Sequence, residues 1–438
     1  MSGIDLTRYV ALLPEHAPLA CRGRVVELTG LVVRAVVEGV RQGELVAVRS
    51  IPGAAPLLAE VVGFRGEEAV LLPLGDTRGL ALGAEVVPTG HPLAIRAGSS
   101  LLGRVLDGLG QPIDGRPLPD GLVPWSVERP APGPLERQRV TRPLQLGLRA
   151  LDALLTAGEG QRIGLFAGSG VGKSTLLGQI ARGSAADAVV VGLVGERGRE
   201  VREFLEESLG PAGLARSVVV AATSDAPALV RLKAAYVATA VAEWFAEVEG
   251  RRVLLLLDSV TRFARAQREV GLAAGEPPAR QGYPPSVFAE LPRLLERTGN
   301  RARGGITAVY TVLVAGGDME EPIADEVRGI LDGHVVLDRN LAARGRFPAV
   351  DILQSVSRVM PVVAEPRHVG LAARVRELLA TWERQRDLVA LGAYARGSDP
   401  ATDEAIARVG AIEALLRQGT SERSTLGEAV AGLEAVLA

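Results

Sequence analysis

Cysteine is almost absent from this 438-residue chain, with Cys21 the only one. No disulfide can close within it and no thiolate metal site can form, which fits a reducing cytosol. Histidine is nearly as scarce: His16, His91, His334 and His368 are dispersed, with no metal-ligand spacing. Aromatic residues make up 3%, so Ala, Val and Leu must do most of the packing. No apolar run approaches the ~18 residues that cross a bilayer. Met1 to Pro14 lacks the basic stretch, apolar stretch and small-residue cleavage site of a signal peptide. A soluble, cytoplasmic protein is expected, with a peripheral membrane role left open. An excess of either charge is missing too, since 49 Lys and Arg face 51 Asp and Glu. Gripping nucleic-acid phosphates needs a basic surplus, so no nucleic-acid partner is expected.

What is present is apolar bulk: 47% hydrophobic residues against 23% charged is a globular composition that can bury a sizeable core. The length suits two or three domains. Residues 1–20 read as a short amphipathic segment or an ordinary terminus. Residues 21–90 carry short β-branched runs broken by glycines (25–37, 44–50, 67–75), the texture of a small β-barrel. The proline-rich stretch from Pro130 to Pro134 marks a linker or a wrapped loop. Across 91–365, apolar runs at 163–166, 188–194, 217–222, 253–257, 306–314 and 335–337 alternate with helical patterns. That alternation predicts an α/β fold, a parallel sheet covered on both faces. Residues 366–438 lose strands, and Val375, Leu378, Leu379 and Trp382 follow helical spacing, so a helical C-terminal domain is expected.

Three features carry chemistry. The run Ala167, Gly168, Ser169, Gly170, Val171, Gly172, Lys173, Ser174 lies between a strand pattern and a helical pattern that starts at Thr175. Glycines let successive N–H groups turn into one concavity, and the following helix adds its positive end. Lys173 is placed to neutralise β- and γ-phosphate oxygens, and the Ser174 hydroxyl to ligate Mg²⁺. ATP and Mg²⁺ are therefore the expected ligands. Asp258 ends the run of leucines 254–257, at the carboxyl end of a buried strand, where it suits a magnesium-bound water. Glu196 follows another apolar run, on a strand expected beside the P-loop strand, and could polarise an attacking water. On spacing alone the charged cluster 196–200 reads more readily as a solvated run capping a helix.

Longer segments carry a resemblance. GLFAGSGVGKSTLLGQIARG (164–183), VVGLVGERGREVREFLEESLG (190–210) and the stretch 261–297 are similar to the ATPases of type III protein secretion. So are 324–342, 347–360, 101–115 and 394–409. That family spans flagellar and injectisome export ATPases, relatives of rotary ATP synthase subunits. The resemblance implies a RecA-like P-loop core between an N-terminal barrel, used for oligomerisation, and a C-terminal helical domain. It makes Glu196 the catalytic glutamate and Arg197 its positioner. It gives Arg262 a γ-phosphate contact from the same subunit, Phe347 a stacking place on adenine (usually Tyr in relatives), and Arg358 the role of a finger reaching a neighbour's site.

The resemblance further implies a homohexamer, a central stalk, regulator proteins of the export apparatus, secretion chaperones with their substrate proteins, and peripheral placement at an inner-membrane export gate. Segments 316–334 and 420–430 lean towards the injectisome, and the loop version AGSGVGKS towards the flagellum; the injectisome is the reading taken. The alternatives are a rotary F/V-type ATP synthase subunit, an RNA-translocating hexameric ATPase and a non-catalytic nucleotide-binding scaffold.

Overall fold

A computed structural model describes residues 21–50 and 55–438. The amphipathic reading of residues 1–20 lies outside the described residues. Two compact units are present, residues up to Ala94 with Leu272–Glu276, and residues Ile95–Gly271 with Pro277–Ala438.

In the first unit six strands close into a barrel: β1 (Gly23–Thr29), β2 (Val32–Val36), β3 (Glu44–Arg49), β4 (Leu57–Arg65), β5 (Glu68–Pro73) and β6 (Glu85–Pro92). Their order is β1-β2-β5-β4-β3-β6, and β6 returns to β1 through Gly23 opposite Val86. Alternation sorts the side chains: Val33 and Ala35 are fully buried while Arg34 between them is not. A methyl group on Gly23 would stand 2.4 Å from the Val36 carbonyl oxygen, so only glycine lets β1 approach β2 there.

The second unit is built on a nine-stranded sheet. Eight of its strands lie in line: β7 (Arg104–Asp107), β8 (Arg162–Ala167), β9 (Ala188–Glu196), β10 (Ser217–Thr223), β11 (Arg252–Asp258), β12 (Gly305–Leu313), β13 (Gly333–Leu337) and β14 (Val350–Ser357). The order is β14-β13-β8-β12-β11-β9-β10-β7, with Gly299–Asn300 attached to β12. All neighbours in line are parallel except β14, which runs antiparallel to β13. Every residue of β9 is buried, as the continuous apolar runs require of strands covered on both faces.

Helices α1 (Lys173–Gly183) and α2 (Ala228–Glu247) are crossovers of this sheet. The chain ends in α3 (Pro366–Ala390), α4 (Pro400–Leu416) and α5 (Leu426–Leu437). Asp399 accepts from the N–H groups of Ala401 and Thr402, and Thr425 with Glu428 forms a capping box, which sets where α4 and α5 begin. These helices form a C-terminal helical domain. Its buried residues Val375, Leu378, Leu379, Ile412 and Leu433 join the same apolar core as Leu165, Leu177 and Val191 of the sheet layer.

One buried charge network ties α2 to this unit. The Arg297 guanidinium meets Glu243 bidentately at 2.8 and 2.6 Å, and donates to the Val127 carbonyl oxygen at 2.8 Å. Both side chains are 1% exposed, and Arg129 and Arg301 each lie 3.5 Å from the same carboxylate. Removing the acid strands buried positive charge, so Glu243→Ala should lower unfolding free energy by ~3–5 kcal/mol. Urea denaturation checks this, and the double variant Glu243→Leu/Arg297→Met should recover most of the loss.

Candidate active site

The site is assembled at the carboxyl edge of the parallel strands. β8 ends at Ala167, and the chain turns through Gly168 to Gly172 into α1. Gly170 (φ 78°) and Gly172 (φ 87°) are left-handed, conformations that only glycine adopts without strain. No side chain caps α1, so its first N–H groups remain free to meet an anion. Ser169, Gly170, Ser174 and Thr175 are exposed around this concavity, while Val171 is anchored in the core.

Lys173 extends from the loop to two carboxylates. Its ammonium ion pairs with Asp258 and lies 3.6 Å from Glu196 Oε1. Asp258 is buried at the end of β11, where Thr311 of neighbouring β12 donates its hydroxyl to Asp258 Oδ1 at 2.7 Å. Glu196 is buried at the end of β9, beyond a bulge at Gly195 whose φ is 69°. Arg262 crosses to it: Nη2 donates to Glu196 Oε2 at 3.0 Å and Nη1 to the Gly195 carbonyl oxygen. Among the described residues Glu196 Oε1 has no hydrogen-bond partner.

Burial pushes the Glu196 carboxyl up to about 7, and the nearby Asp258 charge adds to this. Lys173 and Arg262 oppose the rise, while a hydrogen bond with Glu200 reinforces it. A carboxyl that is half ionised near neutrality, with one oxygen facing the Lys173 ammonium but not hydrogen-bonded, is suited to take a proton from water.

Beside the loop lies a second pocket of about 320 Å³. Val171, Leu176, Leu337, Phe347, Pro348 and Ala349 give it apolar walls, and Gln418, Gly419 and Thr420 close one side. A methyl group on Gly172 would sit 3.5 Å from the Phe347 ring, which places that ring against the end of the phosphate loop. Size and lining suit a flat heteroaromatic base. The segment 418–420 reaches the pocket from the far end of the chain and is pinned there. Gln418 N–H donates to the Phe347 carbonyl oxygen at 2.9 Å, and Gln418 Nε2 to that of Gly147 at 2.9 Å. Gln179 Nε2 donates to the Gly419 carbonyl oxygen at 3.0 Å.

The structure therefore brings together Ala167 to Thr175, Asp258, Glu196 and Arg262, with Phe347 adjoining. Two sequence expectations need correction. The strand bearing Glu196 is not beside the P-loop strand, because β12 and β11 lie between; the length of Lys173 bridges that gap. Arg197 does not position Glu196. Its side chain is 73% exposed and 3.9 Å from Glu200, and Arg262 holds the glutamate instead. Successive residues at a strand end project to opposite sides, which sends Arg197 away. Sequence reading missed Thr311, Glu200 and Gln418 to Thr420. Only Thr311, a hydroxyl within an apolar strand, left a local signal.

Arg358 stands apart. It is exposed just past Ser357, which pairs with Gly333 at the amino end of β13. The loop follows Ala167, which pairs with Leu337 at the other end. About five residues of strand, ~16 Å, separate the two levels.

Comparison with known proteins decides the family. Residues 147–357 match the ATP synthase alpha/beta family nucleotide-binding domain, 25–90 its beta-barrel domain, and 364–435 the T3SS EscN ATPase C-terminal domain. A flagellum-specific ATP synthase of Bacillus subtilis (strain 168) is 52% identical over 94% of each chain. A type 3 secretion system ATPase of Xanthomonas euvesicatoria is also 52% identical, over 92% of this chain and 91% of the relative. The chain belongs to the type III secretion and flagellar export ATPases. Like that family, this export ATPase is an ATP-hydrolysing enzyme. The assembled ATPase EscN of enteropathogenic E. coli superposes with TM-score 0.88 at 45% identity, covering 95% of this chain and all of that one. EscN bound to its central stalk EscO gives the same values.

The raised Glu196 carboxyl has a consequence for pH. Glutamate in the unfolded chain titrates near ~4.3, so the native state holds more protons between there and about 7. Stability contributed by neutral Glu196 is full below that range and is lost as pH rises through it. Wild-type stability should therefore fall more between about pH 4 and 7 than that of Glu196→Gln. Hydrolysis should show the opposite trend, rising as Glu196 ionises. Glu196→Gln should keep nucleotide binding and lose roughly 10²–10⁴-fold in turnover, measured by phosphate release beside fluorescent-nucleotide titration.

Proposed function

We propose that this protein hydrolyses ATP at the interfaces of a homohexamer to power bacterial type III protein export. The observation that carries this reading is the placement of Arg358 on the opposite edge of the sheet from the phosphate loop. Lys173, Asp258, Glu196 and Arg262 form one half of a site, and Arg358 supplies the other half to the neighbouring copy. Its guanidinium makes no hydrogen bond or ion pair among the described residues, so it is available to a neighbour. Identical halves on opposite edges make contacts that are head to tail, and such contacts close into rings.

Within each site Lys173 and the free N–H groups of the loop bind the triphosphate, and Phe347 with Gln418 to Thr420 holds the base. Glu196, oriented by Arg262, takes the proton of the attacking water. Ser174 and Asp258 offer the hydroxyl and carboxylate oxygens that suit Mg²⁺. When bound, that ion would neutralise phosphate charge.

Nucleotide state would act on the C-terminal domain directly, since residues 418–420 belong to both the base pocket and the α4–α5 connection. That domain is the part proposed to release chaperones from cargo and promote unfolding at an inner-membrane gate. A central stalk and regulators would complete the apparatus, as EscN is bound to EscO. No helix among the described residues is long and apolar enough to cross a membrane, so attachment there would be peripheral. The injectisome reading rests on segments 316–334 and 420–430. Relatives of the flagellar kind match equally well, so the proposal is centred on the export function both systems share.

A mixing experiment tests the divided site. Arg358→Ala alone should bind nucleotide but lose roughly 10³–10⁵-fold in turnover, and Lys173→Ala should fail to bind. Mixed, the two variants create some interfaces with both halves intact, so activity should reappear. Two inactive variants that stay inactive when co-assembled would exclude a finger supplied in trans.

A further inference from the structure

We propose that Arg339 is a further phosphate-side residue of the nucleotide site, on the flank of the loop opposite Arg262 and Glu196. This rests on the nucleotide-binding reading of Ala167 to Ser174. In the sheet, β8 has β12 on one side and β13 on the other. Asp258, Glu196 and Arg262 all approach from the β12 side. The other flank is formed by the chain leaving β13, whose last residue Leu337 pairs in register with Ala167. Two residues further on, Arg339 runs alongside the opening of the loop. A methyl group added to Gly168 would stand 3.7 Å from Arg339 Nη2.

The backbone that presents this arginine is held in place. Asp338 donates its N–H to the Ala349 carbonyl oxygen at 2.9 Å, and its carboxylate accepts from Leu341 N–H at 2.8 Å as a helix cap. The nearest acid in sequence is thus already occupied. Arg339 itself is exposed and makes no hydrogen bond or ion pair with any described residue. The other two cations at the loop are committed, Lys173 to Asp258 and Glu196, and Arg262 to Glu196. A triphosphate brings more negative charge than those two can meet while still holding their carboxylates. A planar guanidinium beside the loop's first glycine fits the remaining phosphate oxygens.

The plain alternative is a solvated surface arginine, and the lack of partners separates the two. Because Arg339 makes no hydrogen bond or ion pair with any described residue, its loss should leave nucleotide-free melting unchanged on either reading. Only phosphate affinity distinguishes them. We expect full-length Arg339→Gln to bind MgADP and inorganic tripolyphosphate about tenfold more weakly. KM for ATP should rise with it, and Arg339→Lys should recover part of the loss by keeping charge without the fork. Unchanged affinity for both ligands would overturn the proposal, as would weakened MgADP binding with tripolyphosphate unaffected, or a matching fall in nucleotide-free melting temperature. Lys173→Ala, measured alongside, keeps the outcomes distinct: MgADP binding that survives it would refute the loop assignment itself.

Discussion

One ammonium ion organises the chemistry of this chain. Lys173 is drawn from the phosphate loop towards Asp258 and Glu196, two buried carboxylates on different strands. Without that cation the carboxylates would face each other in a poorly solvated cleft, and the Asp258 charge already helps to raise the Glu196 carboxyl. Thr311 steadies one acid and Arg262 the other, so each has its own support as well as the shared one. A triphosphate bound at the loop would compete with both carboxylates for the same lysine. On the proposed function, nucleotide binding and the readiness of Glu196 to take a proton would be linked through that single charge.

The parallel sheet determines where such a cluster can be built. Strands that run the same way deliver their last residues to one edge, and Asp258, Glu196 and the phosphate loop all arrive there. The antiparallel strand β14 does the reverse and delivers Arg358 to the opposite edge. In the function proposed above, that reversal of one strand is what would divide the site between copies. The C-terminal domain enters the same logic through Gln418, whose side chain and N–H bind the core on both sides of the pocket beside the loop.

Much of this was legible in the residues because it is local. The loop, its strand and its helix are contiguous, and burial on both faces makes β9 and β11 continuous apolar runs that end in their acids. The barrel and the helical domain were legible from alternation and helical spacing in the same way. What escaped was assembled across long separations. Arg262 reaches Glu196 from 66 residues away, and Gln418 reaches Gly147 across 271. No local pattern announces either contact. Arg197 shows the converse error: adjacency in the chain suggested contact with Glu196, and strand geometry pointed the two side chains apart.

The catalytic unit proposed here is an interface between copies and not the chain alone. Specific ATPase activity measured against protein concentration, with sedimentation velocity on the same samples, tests it most directly. The account predicts activity that rises steeply over the range in which oligomers form and is close to nil where only monomer sediments. A specific activity that stays constant down to monomer would contradict it.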